Sequence, residues 1–137
     1  MADVTFIILT KNETINIRDC INSIKGFAKR IVVVDSGSTD DTCEIAKSMG
    51  ADVYVHPFEN YAHQVNWGID NTDITTKWTF RLDADERLTD KLCKTLEKLM
   101  YEHDSDDVNG ITMEAWLYFM GRKIKHGGSQ KRKLMLF

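Results

Sequence analysis

Arg30-Ile31-Val32-Val33-Val34-Asp35-Ser36-Gly37-Ser38-Thr39-Asp40-Asp41 is the stretch that decides the fold. Ile31 to Val34 are all β-branched, and an apolar run without polar alternation suits a strand covered on both faces, the habit of parallel sheets. The run ends in an acid. Ser36-Gly37-Ser38 then supplies turn residues, and a hydroxyl cap with Asp40 and Asp41 in the first turn predicts a helix through Met49, closed by Gly50. The segment before it has the same grammar: Val4 to Thr10 reads as a buried strand, Lys11-Asn12-Glu13 breaks it, and Ile17, Cys20, Ile21, Ile24 and Phe27 follow at helical spacing.

Working outward, Asp52 to His56 is expected to be a third strand, stopped by Pro57, the only proline. Tyr61 to Asn71 reads as a helix and Lys77 to Leu82 as a fourth strand. Thr89 is placed to cap an amphipathic helix whose stripe is Leu92, Cys93, Leu96, Leu99 and Met100. Asn109 to Met120 alternates loosely and is expected to be one long strand entering a hairpin near Gly121. Alternating strands and helices make this an α/β protein, a mostly parallel sheet with helices on both faces and an antiparallel addition near the C-terminus. At 137 residues it is a single domain, 1–137, able to bury about two-thirds of its unfolded surface.

Eighteen basic and twenty-one acidic side chains leave a formal charge of -3, so no global field draws nucleic acid. The local exception is the tail, with Arg122, Lys123, Lys125, Lys131, Arg132 and Lys133 around Gly127-Gly128, a hairpin rim or a phosphate or membrane-surface contact. Cys20, Cys43 and Cys93 are scattered among apolar helical positions, which suggests buried free thiols in a reducing cytoplasm. The N-terminus has no basic leader and no stretch is long and apolar enough to span a bilayer, so peripheral association at the inner membrane face is the expected limit of membrane contact.

The chemistry points to Arg81-Leu82-Asp83-Ala84-Asp85-Glu86, where an apolar strand runs into Asp83, Asp85 and Glu86. In extended geometry Asp83 and Asp85 project to one side, roughly 7 Å apart at Cα. At an effective dielectric near 20 they repel by about 2 kcal/mol. Mg²⁺ or Mn²⁺ resolves that conflict, because such ions take one or two carboxylates plus phosphate oxygens, and a nucleoside diphosphate is then a natural third party. The plainer reading is a solvated turn that caps the next helix. Parallel sheets bind ligands outside their strand carboxyl ends, and the clusters after Thr10, Val34 and Leu82 should therefore line one crevice. Asp35 either accepts hydrogen bonds from a ribose or base, or forms an Asx turn at the Ser36-Gly37 bend. There is no Gly-x-Gly-x-x-Gly and no phosphate-loop pattern, which lowers dinucleotide redox chemistry and nucleotide hydrolysis.

Leu9-Thr10-Lys11-Asn12-Glu13, Val33-Val34-Asp35-Ser36-Gly37-Ser38-Thr39-Asp40-Asp41-Thr42 and Leu82-Asp83-Ala84-Asp85-Glu86 resemble the ordered motifs of family 2 glycosyltransferases. The likeness is nearest to bacterial lipopolysaccharide core or capsule enzymes with an Asp-Ala-Asp-Glu motif, and Gln64, Asn66 and Gly68 resemble a segment placed before it. The resemblance implies a GT-A fold and inverting, metal-assisted transfer from a nucleotide sugar, a UDP-sugar first among donors, to a glycan or lipid-linked acceptor in cell-envelope polysaccharide synthesis. It places Thr10 and Glu13 beside the nucleoside, Asp35 on the base, Gln64 at the donor site, Asp83 by the ribose or metal, and Asp85 as principal ligand of Mg²⁺ or Mn²⁺.

The resemblance puts the catalytic base beyond the hairpin that follows the metal motif. The abrupt Leu134-Met135-Leu136-Phe137 ending suggests a donor half truncated on its acceptor side, and within the chain His126 is the better substitute base, ahead of Glu114. Two alternatives stay open: a sugar-1-phosphate nucleotidyltransferase, and a non-catalytic nucleotide-binding or receiver-like module with Asp35 as phosphoacceptor.

Overall fold

The computed structural model describes residues 1–105, 107–116, 118–123, 125–126 and 131–137. The first strand, β1 (Ala2–Thr10), leads through α1 (Ile17–Ile24) to β2 (Ala28–Asp35), then α2 (Thr42–Ser48) and β3 (Asp52–Val55). Next come α3 (Tyr61–Asn71), β4 (Trp78–Asp83) and α4 (Asp90–Glu102). The chain then adds β5 (Ile111–Ala115), a hairpin of β6 (Tyr118–Phe119) and β7 (Arg122–Lys123), and β8 (Lys131–Leu136). The main sheet has the order β3-β2-β1-β4-β8-β5. Its first four strands are parallel, and β8 runs antiparallel between β4 and β5.

Strand parity explains the two-sided burial. Phe6, Ile8, Val33, Phe80 and Leu82 face α1, α2 and α4, meeting Ile17, Cys20, Ile21, Ala46, Leu96 and Met100. Phe6 stacks on Phe80 with centroids 4.6 Å apart. The intervening Ile7, Leu9, Val32 and Val34 face α3 and its Val65. Gly68 permits that contact: a Cβ there would stand 3.1 Å from Val34 Cγ2 and 3.4 Å from Ile7 Cγ2, so only the bare backbone lets α3 lie this close.

Two local expectations are corrected. The stretch 109–120 is not one strand: the alternation with Ile111, Met113 and Ala115 inward holds through β5, then half-buried Trp116 follows Ala115 directly and breaks it, and Tyr118, which opens β6, is exposed. The hairpin near Gly121 is present, with Met120 (φ 49°) and Gly121 (φ 76°) at its bend. At the start of α2 the expected hydroxyl cap is not formed: the N-cap is Asp41, whose side chain makes no capping hydrogen bond, and Asp40 just before it accepts from Thr42 N at 3.0 Å. Thr89 does cap α4, accepting from Leu92 N at 3.2 Å. The three thiols are free, but only Cys20 is buried; Cys43 and Cys93 are half-buried.

Candidate functional site

Chain order reverses between β1 and β4: β1 to β3 run outward to one side, and α3 carries the chain back to the other. Open parallel sheets bind ligands outside the carboxyl ends of their strands at such a switch. A cavity of about 550 Å³ lies there, lined by Leu9, Thr10, Lys11 and Glu13 after β1, by Ser36 after β2 and by Arg81, Asp83, Ala84 and Asp85 at the end of β4. Phe58 and Tyr61, on the way into α3, complete the lining. The three polar clusters thus share one crevice, as their positions at strand ends predict.

The loops after β1 and β2 are stitched together. Asn12, in the left-handed region at φ 53°, donates its N–H to Ser38 Oγ at 2.8 Å and accepts from Thr39 N at 2.8 Å through its side chain. Lys11 Nζ donates to the Gly37 carbonyl at 2.6 Å, and Glu13 N–H to Thr42 Oγ1 at 2.8 Å. Gly37 takes φ 89°, which its lack of a Cβ makes inexpensive. Asp40 holds Thr14 and Thr42, and those hydroxyl hydrogen bonds lower its carboxyl to about 2.

Asp35 sits beneath this loop, fully buried. Its Oδ1 accepts from Thr10 Oγ1 and Ser38 Oγ, both at 2.6 Å; its Oδ2 accepts from Gly37 N at 2.9 Å and Ser38 N at 2.6 Å. Burial alone raises its pKa, yet the hydrogen bonds from Ser38, Thr10 and Gly37 outweigh it and hold the carboxyl below its ordinary value. Both oxygens are engaged, the side chain does not line the cavity, and it is Ser36 that faces inward. The contacts of Asp35 with Gly37 N and Ser38 N are those of an Asx turn.

Gln64 is likewise a brace. Fully buried, it pairs with His56 Nδ1 at 2.8 Å and donates to the His56 carbonyl at 2.9 Å and Ser36 Oγ at 3.3 Å, tying α3 to the ends of β2 and β3. It reaches the crevice only through Ser36.

The acidic stretch is a turn, not an extended run. β4 stops at Asp83, Glu86 N–H returns to the Asp83 carbonyl at 2.9 Å, and Glu86 Oε2 accepts from Asp83 N at 2.9 Å. This reciprocal grip across three residues resembles a capping box and replaces the same-side geometry predicted for Asp83 and Asp85. Both still line the cavity, Asp83 half-buried and Asp85 exposed. Arg81 Nη2 stands 3.8 Å from Asp83 Oδ1 and Lys133 Nζ 3.7 Å from Oδ2, while Lys133 donates to Glu86 Oε1 at 2.8 Å. Desolvation first, then repulsion from Glu86, raises Asp83 above its ordinary value despite Arg81 and Lys133. Among the described residues no group of three metal-binding side chains forms. The donor set nevertheless suits Mg²⁺ or Mn²⁺, which need only one or two carboxylates when water and phosphate oxygens complete the shell.

A family model described as glycosyl transferase family 2 matches residues 5–133. The chain belongs to that family. It is 37% identical over 121 residues to an uncharacterized glycosyltransferase of Rickettsia prowazekii, a match covering 88% of this chain and 41% of the relative. It is 33% identical over 119 residues to the lipopolysaccharide core biosynthesis glycosyltransferase LpsC of Rhizobium meliloti, covering 83% of this chain and 42% of the relative. The chain therefore spans about two-fifths of these relatives. Among solved structures, Staphylococcus aureus TarS 1-349 superposes with TM-score 0.59 at 20% identity, over 82% of this chain and 34% of that one. Glucosyl-3-phosphoglycerate synthase of Mycobacterium tuberculosis in complex with uridine diphosphate gives TM-score 0.57 at 22% identity, over 76% and 40%. The fold is that of the GT-A glycosyltransferases.

For this family 2 chain, the residues expected at the site divide clearly. Thr10, Glu13, Asp83 and Asp85 meet in the crevice, whereas Asp35 and Gln64 stand behind it. His126 is exposed and not among the lining residues, and the glycines after it fall outside the described residues. Glu114 pairs with Arg132 at 3.3 Å across β5 and β8, a structural use. Of the basic tail, Lys123 lies over the Trp116 ring at 3.4 Å and Lys133 alone among the described residues reaches the acidic turn. Sequence reasoning gave no site role to Lys11, Ser36, Phe58, Tyr61 and Arg81, and named Lys133 only within the basic tail read as a hairpin rim or a phosphate or membrane-surface contact. The Arg81-x-Asp83 spacing is a signal it could have used, since alternate strand residues share a face.

Proposed function

We propose that this chain forms the donor-binding part of a family 2 glycosyltransferase, and that the crevice holds a nucleoside diphosphate sugar, with uridine diphosphate as the first nucleotide to test. The observation that carries the reading is the single cavity joining Thr10, Glu13 and Ser36 to Asp83 and Asp85 at the β1–β4 switch. Ser36, Thr10 and Glu13 offer short polar contacts to a nucleoside. Phe58 and Tyr61, exposed and edge-to-face at 5.2 Å, offer an aromatic rim for the base. Base–aromatic stacking contributes about 1–3 kcal/mol per base.

Asp85 and Asp83 are the side chains that would hold Mg²⁺ or Mn²⁺, whose charge would stabilise the departing diphosphate. The protein's part is orientation: the Asp83–Glu86 grip fixes the turn, and the sheet ends fix the donor against an incoming hydroxyl. Inversion at the anomeric carbon and a glycan or lipid-linked acceptor belong to the same proposal, the latter in keeping with the core-biosynthesis name of the Rhizobium relative. So does a cytoplasmic setting near the inner membrane face, which three free thiols suit.

Isothermal calorimetry with uridine and guanosine diphosphates, with and without Mn²⁺, tests the reading. Metal-dependent binding of one nucleotide is expected; metal-independent binding, or none, contradicts it.

A further inference from the structure

We infer that Arg81 and Lys133 are resident counter-cations of the acidic turn, which make metal binding at Asp83 and Asp85 depend on the anion that accompanies the metal. The inference rests on the metal-and-diphosphate reading above and gives Arg81 and Lys133 a specific part at the acidic turn.

Each oxygen of Asp83 faces its own cation, delivered by a different strand. Arg81 of β4 stands 3.8 Å from Oδ1, and Lys133 of β8 stands 3.7 Å from Oδ2. Lys133 also donates to Glu86 Oε1 at 2.8 Å, and the other oxygen of Glu86 holds the Asp83 N–H at 2.9 Å. Asp83, Asp85 and Glu86 carry three negative charges against Arg81 and Lys133, with Arg87 also held on the Ala84 and Glu86 carbonyls of the turn. A divalent ion arriving alone meets carboxylates already offset by these cations, with the like charges of Arg81 and Lys133 at close range.

A diphosphate reverses the balance. It brings negative charge that the two cations can face, leaving Asp83 and Asp85 to the metal. Arg81 is suited to this exchange: it lines the cavity, its guanidinium has five N–H donors, and among the described residues its contact is the one long pair to Asp83. Lys11, the other cation in the lining, is already hydrogen-bonded to the Gly37 carbonyl at 2.6 Å. The two strands thus couple metal to ligand without any movement of the backbone.

The test titrates the full chain with Mn²⁺, following free Mn²⁺ by electron paramagnetic resonance, with and without uridine diphosphate and with correction for the Mn²⁺–nucleotide complex in solution. In R81M and K133M, Mn²⁺ alone is expected to bind about tenfold tighter than in the unmodified chain, within the ordinary span of coupling factors. The gain conferred by the nucleotide should shrink by a similar factor, and by linkage the gain that Mn²⁺ confers on the nucleotide shrinks equally. K133R, which keeps the charge, should behave as the unmodified chain. R81M carries the test alone if K133M loosens the Glu86 contact enough to impair folding.

Variants that bind Mn²⁺ alone no tighter than the unmodified chain overturn the inference while leaving the donor-site reading standing. An unmodified chain that takes up no Mn²⁺ even with nucleotide overturns both.

Discussion

Two acidic centres stand at the strand ends around the crevice, one behind it and one in its lining, built on opposite physics. At the end of β2, Asp35 is buried and saturated by four neutral donors, which hold its carboxyl below the ordinary range. At the end of β4, Asp83 is half-buried among other charges, and desolvation with the nearby Glu86 raises it. The first centre is a fastening: its charge is matched by hydrogen bonds that shape the Ser36–Ser38 loop. The second is poised to respond to charge, with Arg81, Lys133, Glu86 and Asp85 all acting on one carboxylate. Two aspartates at strand ends look alike in a sequence, and the number of N–H and O–H donors around each separates them.

The contrast breaks most sharply on metal binding. Asp85→Asn is expected to reduce nucleotide-dependent Mn²⁺ binding by about 100-fold or more, since even outer partners of a metal site are worth 10–100-fold. Calorimetry in the presence of uridine diphosphate reads it, and an unchanged isotherm would remove Asp85 from the site.

Stability should divide the two centres next. Asp35→Asn puts an amide against donors that want an acceptor, with an expected loss of about 2–3 kcal/mol in urea unfolding. Asp83→Asn should be neutral or mildly stabilising in the free chain at neutral pH, because the fold disfavours its charged form. Equal destabilisation by both substitutions would erase the distinction.

A pH series sharpens it. The folded values of Asp35 and Asp40 lie below the reference 3.8, Asp40 at about 2, so the stability they contribute is present above 3.8 and is lost as pH falls through the folded values. Asp83 has the opposite sign: its raised value means its contribution improves as pH falls. Denaturation midpoints should therefore fall steeply below about pH 4, with a shallower fall in Asp40→Asn and a steeper one in Asp83→Asn. The smallest effect is expected at the rim, where Tyr61→Ala and Phe58→Ala should each weaken nucleotide binding by about fivefold, at the lower end of base stacking.

The sheet was legible because its signals are local. Ile31 to Val34 announce a two-sided strand, and the helical spacing of Ile17, Cys20, Ile21 and Ile24 survives intact in α1. The C-terminal strands were less so, since the break at Trp116 is weak against a generally apolar stretch. At the site, adjacency at strand ends was enough to bring Thr10, Glu13, Asp83 and Asp85 together. Which way Asp35 points depends on the turn after it, and Ser36, Gly37 and Ser38 close over its carboxylate only once Gly37 adopts a positive φ. The turn at Asp83 to Glu86 was legible as the plainer reading of the acidic stretch, although the helix cap is Thr89. The pairing of Lys133 with Glu86 was beyond local reading: it spans 47 positions through an antiparallel strand whose partner the sequence does not name.

The most direct measurement is anomalous diffraction at the manganese edge from crystals of this chain grown with uridine diphosphate and Mn²⁺. A single strong peak between the Asp83 and Asp85 carboxylates and the two phosphates, with the base reaching Ser36, is the predicted result. A nucleotide bound with no peak at that turn, or a peak held by other residues, contradicts the account.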